Sequence, residues 1–166
     1  GADWFCHHKD LTAGYNLILN SIGAEIQSNT NSAASFNESY YTPGDNGVLS
    51  GGGNTKTYIA YLFATLPGVS KVGSYTGNGT SQTIDCGFST GARFVLIKRT
   101  DSTGDWNLYD SARGIVAGND PRLEPNTANS EDTGSDDIDP ESSGFAVTSN
   151  ADVNTNNAEY IFLAIA

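Results

Sequence analysis

Alternation of apolar and polar residues runs through most of the chain and predicts β-strands. The strongest runs are residues 58–64, 93–100 and 160–166. In the second of these runs, Phe94 and Leu96 share one face of a strand, and Val95 and Ile97 share the other. Because both faces are apolar, we expect this strand to lie in the middle of a sheet.

Shorter strands separated by turn residues complete the pattern. They are predicted at residues 4–8, 16–19, 69–75, 83–88, 105–109 and 144–148. Gly, Asn and Asp cluster between them, as at Asn78-Gly79, where positive φ angles suit a tight hairpin. No stretch carries a capped helical stripe, although a short turn fits residues 11–20. The sequence therefore predicts an all-β fold, an antiparallel β-sandwich of the jelly-roll or lectin-like type.

The chain also contains an internal repeat. Trp4 recurs as Trp106 and Tyr58 recurs as Tyr160, since 106 minus 4 and 160 minus 58 both give 102. The chain has only two Trp residues, and they fall in register. We interpret this as tandem duplication of one unit. We expect the four residues to be structural anchors that occupy equivalent environments in the two copies.

The repeat predicts how the chain is divided. Residues 1–68 form a partial first β-sandwich unit and residues 69–166 a complete second unit. The counterpart of residues 71–103 in the first unit would need numbers below 1. The chain begins with Gly1 and contains no Met, so we expect a C-terminal piece of a longer repeated polypeptide with a truncated first unit. The alternative is a mature protein whose two unequal halves build one sandwich.

Composition argues against several partners. The formal net charge is −11 with only eight Lys and Arg residues, whereas nucleic-acid binding needs a clustered basic surface. The same charge repels anionic membranes. No apolar run approaches the roughly 18 to 20 residues that span a bilayer, so no membrane insertion is expected.

Residues with reactive side chains are few. The only histidines, His7 and His8, are adjacent and point to opposite faces of a predicted strand, so they cannot jointly bind one ion. No Gly-x-Ser-x-Gly elbow is present. Cys6 is interpreted as a small buried hydrophobe, and a Cys6–Cys86 disulfide stays open. We predict no catalytic residue, no metal ligand and no cofactor, although the acidic residues alone do not exclude glycoside hydrolysis.

An acidic run occupies residues 129–141. It has six carboxylates and little apolar content, which is typical of a solvated loop. Calcium is the functional alternative, because hard cations prefer several carboxylates on a bent backbone. Between the Trp and Tyr anchors the two copies align at a separation of 97, since Asn29-Thr30 recurs as Asn126-Thr127 and 126 minus 29 gives 97. The matching part of the first copy is therefore residues 32–44, which is almost uncharged, so the repeat does not support a metal site.

Tyr40 and Tyr41 are the candidate binding residues. They precede the turn at Pro43 and have no aromatic counterpart in the second copy. Exposed tyrosines stack on sugar rings, so these two residues could contact a glycan. They could equally cover a sheet edge.

An ordered series of motifs resembles a repeat of bacteriophage virion proteins. The series runs through residues 72–79, Cys86-Gly87-Phe88, residues 94–101, Asp105-Trp106 and residues 160–166. Those proteins are tail-fibre or other particle-surface components with lectin-like β-sandwich units. The resemblance covers residues 70–166 as one unit and residues 3–67 as the latter part of another. It implies a structural or adhesive particle component and brings no catalytic or ligand residues.

The function expected from the sequence is non-enzymatic. We expect a virion structural protein, a tail, fibre or capsid-decoration component at the particle surface. Its expected partners are copies of itself or other virion proteins, and a host-surface glycan is a further expected contact. One alternative is a secreted carbohydrate-binding module or glycanase. Another is an extracellular filament or surface-layer subunit.

Overall fold

The computed structural model describes residues 3–27, 35–36, 41–42 and 57–166, with only the backbone described at 35–36 and 41–42. The described part is almost entirely β-structure with one short helix. The elements in chain order are β1 Phe5–Cys6, β2 Tyr15–Ile18, β3 Ile26–Gln27, β4 Ser35–Phe36, β5 Tyr41–Thr42, β6 Ser70–Thr76, β7 Gln82–Asp85, β8 Phe94–Arg99, β9 Trp106–Asp110, β10 Ile138–Glu141, β11 Gly144–Val147, α1 Ala151–Asn154 and β12 Glu159–Ile165. This helix does not approach the length or apolarity that crossing a membrane requires, and the described residues contain no other candidate.

Two antiparallel sheets enclose the main core. A four-stranded sheet has the order β6-β12-β8-β9, and a three-stranded sheet has the order β10-β11-β7. Their facing side chains form one apolar cluster, in which the rings of Phe145 and Phe162 meet edge to face at 5.4 Å. Tyr75 and Tyr160 stack with ring centroids 5.0 Å apart. The prediction of an all-β, antiparallel, sandwich-like fold is confirmed.

The strand patterns explain the order of the four-stranded sheet. β8 lies between β12 and β9, as its two apolar faces predict, and Val95 and Ile97 are fully buried in the core. β12 lies between β6 and β8 and is also apolar on both faces. Its Phe162 enters the core, whereas Ile161 points to the outer face of the sheet. Both strands are therefore central because both of their faces require cover.

The cover on the outer face comes from the N-terminal part of the chain. The three-stranded sheet β1-β2-β3 contributes Leu17 to a second apolar cluster with Trp106 and Ile161. The Nε1 of Trp106 donates to the carbonyl of Ile18 at 3.1 Å. The backbone N–H of Glu25 donates to the carbonyl of Thr100, directly after β8, at 2.9 Å. Within the described residues, the predicted first unit therefore packs on the predicted second unit, and the division at residue 68 stays a prediction.

Several predicted boundaries change in the structure. The run at 83–88 is strand only as far as Asp85, because the Asp85 carboxylate accepts the N–H of Gly87 at 2.8 Å and Gly87 adopts a φ of 72°. The predicted strand at 4–8 is reduced to the two residues of β1. Helix α1 was not predicted, because four residues are too few to show a helical stripe. Its Asn150 caps the helix by accepting the N–H of Asp152 at 2.9 Å.

The prediction of a strand at residues 58–64 is wrong. The structure assigns no strand between residues 57 and 65. The apolar alternation there is as strong as in β12, but a strand exists only when a neighbouring strand completes its hydrogen bonds. Among the described residues, no strand pairs with residues 57–65.

Candidate functional site

The most unusual surface of the described part of the chain is the apolar segment, which we define as residues 58–66. Six of its large apolar side chains are at least half exposed, namely Tyr58, Ile59, Tyr61, Leu62, Phe63 and Leu66. Ile59 is 83% exposed. Isolated exposed apolar residues are ordinary, but a contiguous run of this kind marks an interaction surface.

The apolar segment is anchored at its C-terminal end. Leu66, Pro67 and Gly68 form a turn in which the Val69 N–H donates to the Leu66 carbonyl at 2.9 Å. Pro at the second position and Gly at the third, with a φ of 72°, are the residues that a type II turn requires. The Leu66 N–H then donates to the Ser70 carbonyl at 3.0 Å, which joins the segment to the start of β6. The segment therefore leaves the sandwich at a defined point.

A second candidate is a cleft of about 500 Å³ on the side of the sandwich where both sheets end, which we call the edge cleft. β6 is the last strand of one sheet and β7 the last strand of the other. The lining residues include Lys9, Asp10, Lys71, Ser74, Gln82, Thr83, Asp85, Tyr75 and Phe162. Positively charged, negatively charged and neutral polar side chains thus line this cleft, an arrangement that can hydrogen-bond a hydroxylated ligand.

Two local features shape the edge cleft. The ring of Phe162 lies directly over Gly73, where an added Cβ would come within 2.7 Å of the Phe162 Cζ. Lys9 and Asp10 form an ion pair at 2.7 Å above the edge of β6. Burial acts to raise the pKa of Asp10, but the hydrogen bonds and charge of Lys9 outweigh it, and the pKa lies below its usual value. Four separate chain segments supply this cleft, so no local sequence pattern could indicate it.

A buried polar cluster surrounds Arg122. Its guanidinium donates to Asp137 Oδ2 at 2.9 Å and to Asp152 Oδ2 at 2.8 Å, and it also pairs with Asp132 and Glu124. Asp137 is fully buried, and its Oδ2 accepts a second bond at 2.8 Å from the hydroxyl of a core tyrosine. Burial raises the pKa of Asp137, although that hydrogen bond and the charge of Arg122 oppose the rise. These carboxylates hold an arginine in place.

The Arg122 cluster corrects part of the loop interpretation. Residues 129–141 were predicted to be a solvated loop, but Asp137 is buried and residues 138–141 form β10. The reason is that Arg122 compensates the buried charge. Within the described ranges, no group of three or more His, Cys, Asp or Glu side chains converges as a metal site. The sequence signal that could have indicated this ion pair is Arg122 itself, an arginine near an acidic run in a chain that has few cations.

The two cysteines and the two histidines are in environments that disfavour their reactive forms. Both Cys6 and Cys86 are free, so the disulfide left open by the sequence is absent. Burial raises the pKa of each thiol to about 11, which keeps both protonated at neutral pH. Burial also lowers the pKa of His7 and of His8 below the usual value.

The predicted repeat anchors do not share one environment. Trp106 is 3% exposed, whereas Trp4 is 60% exposed. Tyr160 is buried in the core, whereas Tyr58 is half exposed. The expectation of equivalent environments is therefore wrong. The physical reason is that the N-terminal sheet covers Trp106, and the described residues supply no matching cover for Trp4.

A backbone feature does recur around the two tryptophans. The Trp4 N–H donates to Asn20 Oδ1 at 2.9 Å, and the Trp106 N–H donates to Asn126 Oδ1 at 2.8 Å. In both places the strand near the tryptophan also pairs antiparallel with the chain that precedes the asparagine. Phe5 pairs with Ile18 in the first place, and Leu108 pairs with Leu123 in the second. This recurrence is compatible with duplication, which stays a prediction.

The predicted binding tyrosines are not placed in either candidate site. Tyr40 lies outside the described residues. Only the backbone of Tyr41 is described, at the start of β5. Their role stays a prediction.

Comparison with known proteins gives one match. No curated protein and no solved structure matches the chain. A family model described as a domain of unknown function, DUF7483, matches residues 1–166, so the chain belongs to that family.

Proposed function

We propose that this protein is a non-enzymatic structural component of a bacteriophage particle, displayed at the virion surface as part of a tail, fibre or capsid decoration. The observation that carries the proposal is the apolar segment. Its large side chains are exposed in a contiguous run, whereas monomeric soluble proteins rarely keep such a surface uncovered. A protein that packs against neighbouring subunits covers this surface in its assembled state.

Other features favour assembly over catalysis. The two thiols are protonated and the two histidines are disfavoured as cations, so the chain offers no prepared nucleophile among these groups. The acidic residues around Arg122 stabilise the fold. The motif series that resembles virion repeats accounts for the tail, fibre or decoration assignment, and sandwich units are suited to repetition along a particle.

The proposal is tested on particles. Phage particles purified from cells that carry the gene should contain peptides of this chain by mass spectrometry. An antibody against the chain should label intact particles in electron micrographs. Particles that lack the chain while the cells express it would contradict the proposal, and so would turnover of a polysaccharide by the purified protein.

A second candidate function is glycan binding at the edge cleft. It is favoured by the polar side chains of both charges that line the cleft, because such groups can hydrogen-bond the hydroxyls of a sugar. Substituting Thr83→Lys would fill the cleft, and Thr103→Lys places the same side chain at an exposed position elsewhere. On a glycan array, binding that is lost with the first variant and kept with the second would support the cleft.

The remaining alternative is an extracellular filament or surface-layer subunit. It shares the apolar segment as its assembly surface and differs only in the assembly formed. Filaments of the purified protein in electron micrographs would favour this alternative over the virion.

A further inference from the structure

We propose that residues 58–64 pair with the same residues of a second copy of the chain, antiparallel and around a two-fold axis at Tyr61. The inference deepens the proposed function and rests on it, because it names the partner of the apolar segment. Four observations carry it: the sequence relation to β12, the closed edges of the four-stranded sheet, the absence of charge, and the register.

Residues 58–64 have the composition of a central strand. They match residues 160–166 at Tyr58, Ile59 and Ala64, and the corresponding strand β12 is hydrogen-bonded on both sides. β12 pairs antiparallel with β6 and with β8. A segment that is apolar on both faces and competent to form a strand gains most from a partner that is also a strand.

The edges of the four-stranded sheet are already closed. Along β6, the carbonyl of Ser70 accepts from Leu66, the N–H of Val72 donates to Thr65 Oγ1 at 3.1 Å, and the carbonyl of Thr76 accepts from Gln82 Nε2 at 3.1 Å. The opposite edge, β9, is bridged to Leu123. Because these edges are blocked, the apolar segment of a second copy is not expected to add to that sheet. The identical segment of the other copy offers a strand partner that no described strand occupies.

Charge favours the same partner surface. The chain carries a net charge of −11, so two copies repel each other over most orientations. Residues 57–66 contain no charged side chain. Contact at this segment therefore joins two acidic copies where no like charges are directly opposed.

The register around Tyr61 is self-complementary. A two-fold axis there places small residues opposite large ones on one face, and the full set of pairs is Tyr58 with Ala64, Ile59 with Phe63, Ala60 with Leu62, and Tyr61 with itself. In an antiparallel pair, directly opposite Cα atoms are about 4.5 to 5.5 Å apart. The two copies of residue 61 would then lie within reach of a disulfide, whereas the two copies of residue 58 would be about 20 Å apart.

The experiment compares two cysteine variants of the full chain. Under mild oxidation, Tyr61→Cys should convert most of the protein to a covalent dimer that a reductant reverses. Tyr58→Cys, a matched substitution in the same segment, should stay monomeric on a non-reducing gel. Both native thiols are at least partly buried, and the unsubstituted chain measures any cross-link that they form.

Sedimentation velocity provides the second arm. The unsubstituted chain should form dimers as its concentration rises, and Ile59→Asp should remove them. Val116→Asp adds the same charge at an exposed apolar residue outside the segment and should leave the dimer intact. Near-ultraviolet circular dichroism confirms that each variant is folded.

The inference is overturned by a chain that stays monomeric at every concentration, by open-ended aggregates, or by equal cross-linking at positions 58 and 61. A monomeric chain that is nevertheless present in purified particles would leave the proposed function standing and assign the apolar segment to another virion protein. Absence from particles would defeat the proposed function itself.

Discussion

Replacing Arg122 tests whether the acidic cluster serves the fold. Arg122→Met keeps much of the apolar stem and removes the guanidinium that donates to Asp137 and Asp152. Asp137 is fully buried, so its carboxylate would lose its cation without gaining water. Removing one partner of a buried ion pair typically costs about 3 to 5 kcal/mol.

The usual pKa of an aspartate gives a second estimate of that cost. Without Arg122, the buried Asp137 can avoid an unpaired charge by binding a proton. At pH 7 this protonation costs about 4 kcal/mol, because an aspartate with an unfolded pKa of about 3.9 must be protonated about three pH units higher, at 1.36 kcal/mol per unit. We therefore expect Arg122→Met to lower the free energy of unfolding by about 4 kcal/mol at pH 7.

The same reasoning fixes the pH dependence. Burial raises the pKa of Asp137 already, and loss of Arg122 raises it further. Between the unfolded and the folded pKa the native state binds more protons, so the stability of the variant falls as pH rises. The difference from the unsubstituted protein should shrink to about 1 kcal/mol near pH 4.5, where protonation of Asp137 costs little.

Urea denaturation followed by Trp fluorescence measures both values, since Trp106 is buried in the folded state. Arg113→Met is the matched control, because Arg113 pairs with Asp110 and Glu131 at the surface and should cost under about 1 kcal/mol. The double substitution Arg122→Met with Asp137→Asn should recover part of the loss. A loss below about 1 kcal/mol at pH 7, or one that does not change with pH, would refute the reasoning.

Three further predictions concern single groups. Asn154 is fully buried, and its Nδ2 donates to two backbone carbonyls. Asn154→Asp should therefore lower the free energy of unfolding by about 2 to 3 kcal/mol, seen as a lower urea midpoint, and an unchanged midpoint would contradict these hydrogen bonds. Burial lowers the pKa of Lys98 to about 8. As pH rises from 8 to 10.5, the free energy of unfolding of the unsubstituted protein should therefore rise by up to about 3 kcal/mol relative to that of Lys98→Met. A fall over that range would contradict the prediction. With pKa values of about 11, Cys6 and Cys86 should react slowly with a thiol reagent at pH 7.5 in the folded protein and rapidly in urea, and equal rates would contradict their burial.

The strands show what the sequence could and could not predict. The run at 93–100 became the central strand β8 because its own pattern and the strands on both sides agree. Residues 58–64 have an equally strong pattern and form no strand. Alternation reports that a segment suits a sheet, but pairing depends on a neighbour that the pattern does not contain.

The candidate sites were harder to foresee for a similar reason. The edge cleft combines the loop residue Lys9 with strand residues such as Lys71 and Gln82, and Lys9 is far from both in sequence. The apolar segment was recognised in the sequence as a strand, and only its exposure revealed it as a surface. The sequence showed that residues 129–141 are acidic. It did not show that Asp137 pairs with Arg122, because that contact depends on the fold.

The central claim is that residues 58–64, which form no strand in the single chain, become a paired β-strand when the protein assembles. Cryo-electron microscopy of the assembled protein tests it most directly. We expect density in which residues 58–64 form a β-strand hydrogen-bonded to a neighbouring chain. Density in which these residues stay exposed to solvent without a neighbour would contradict the account.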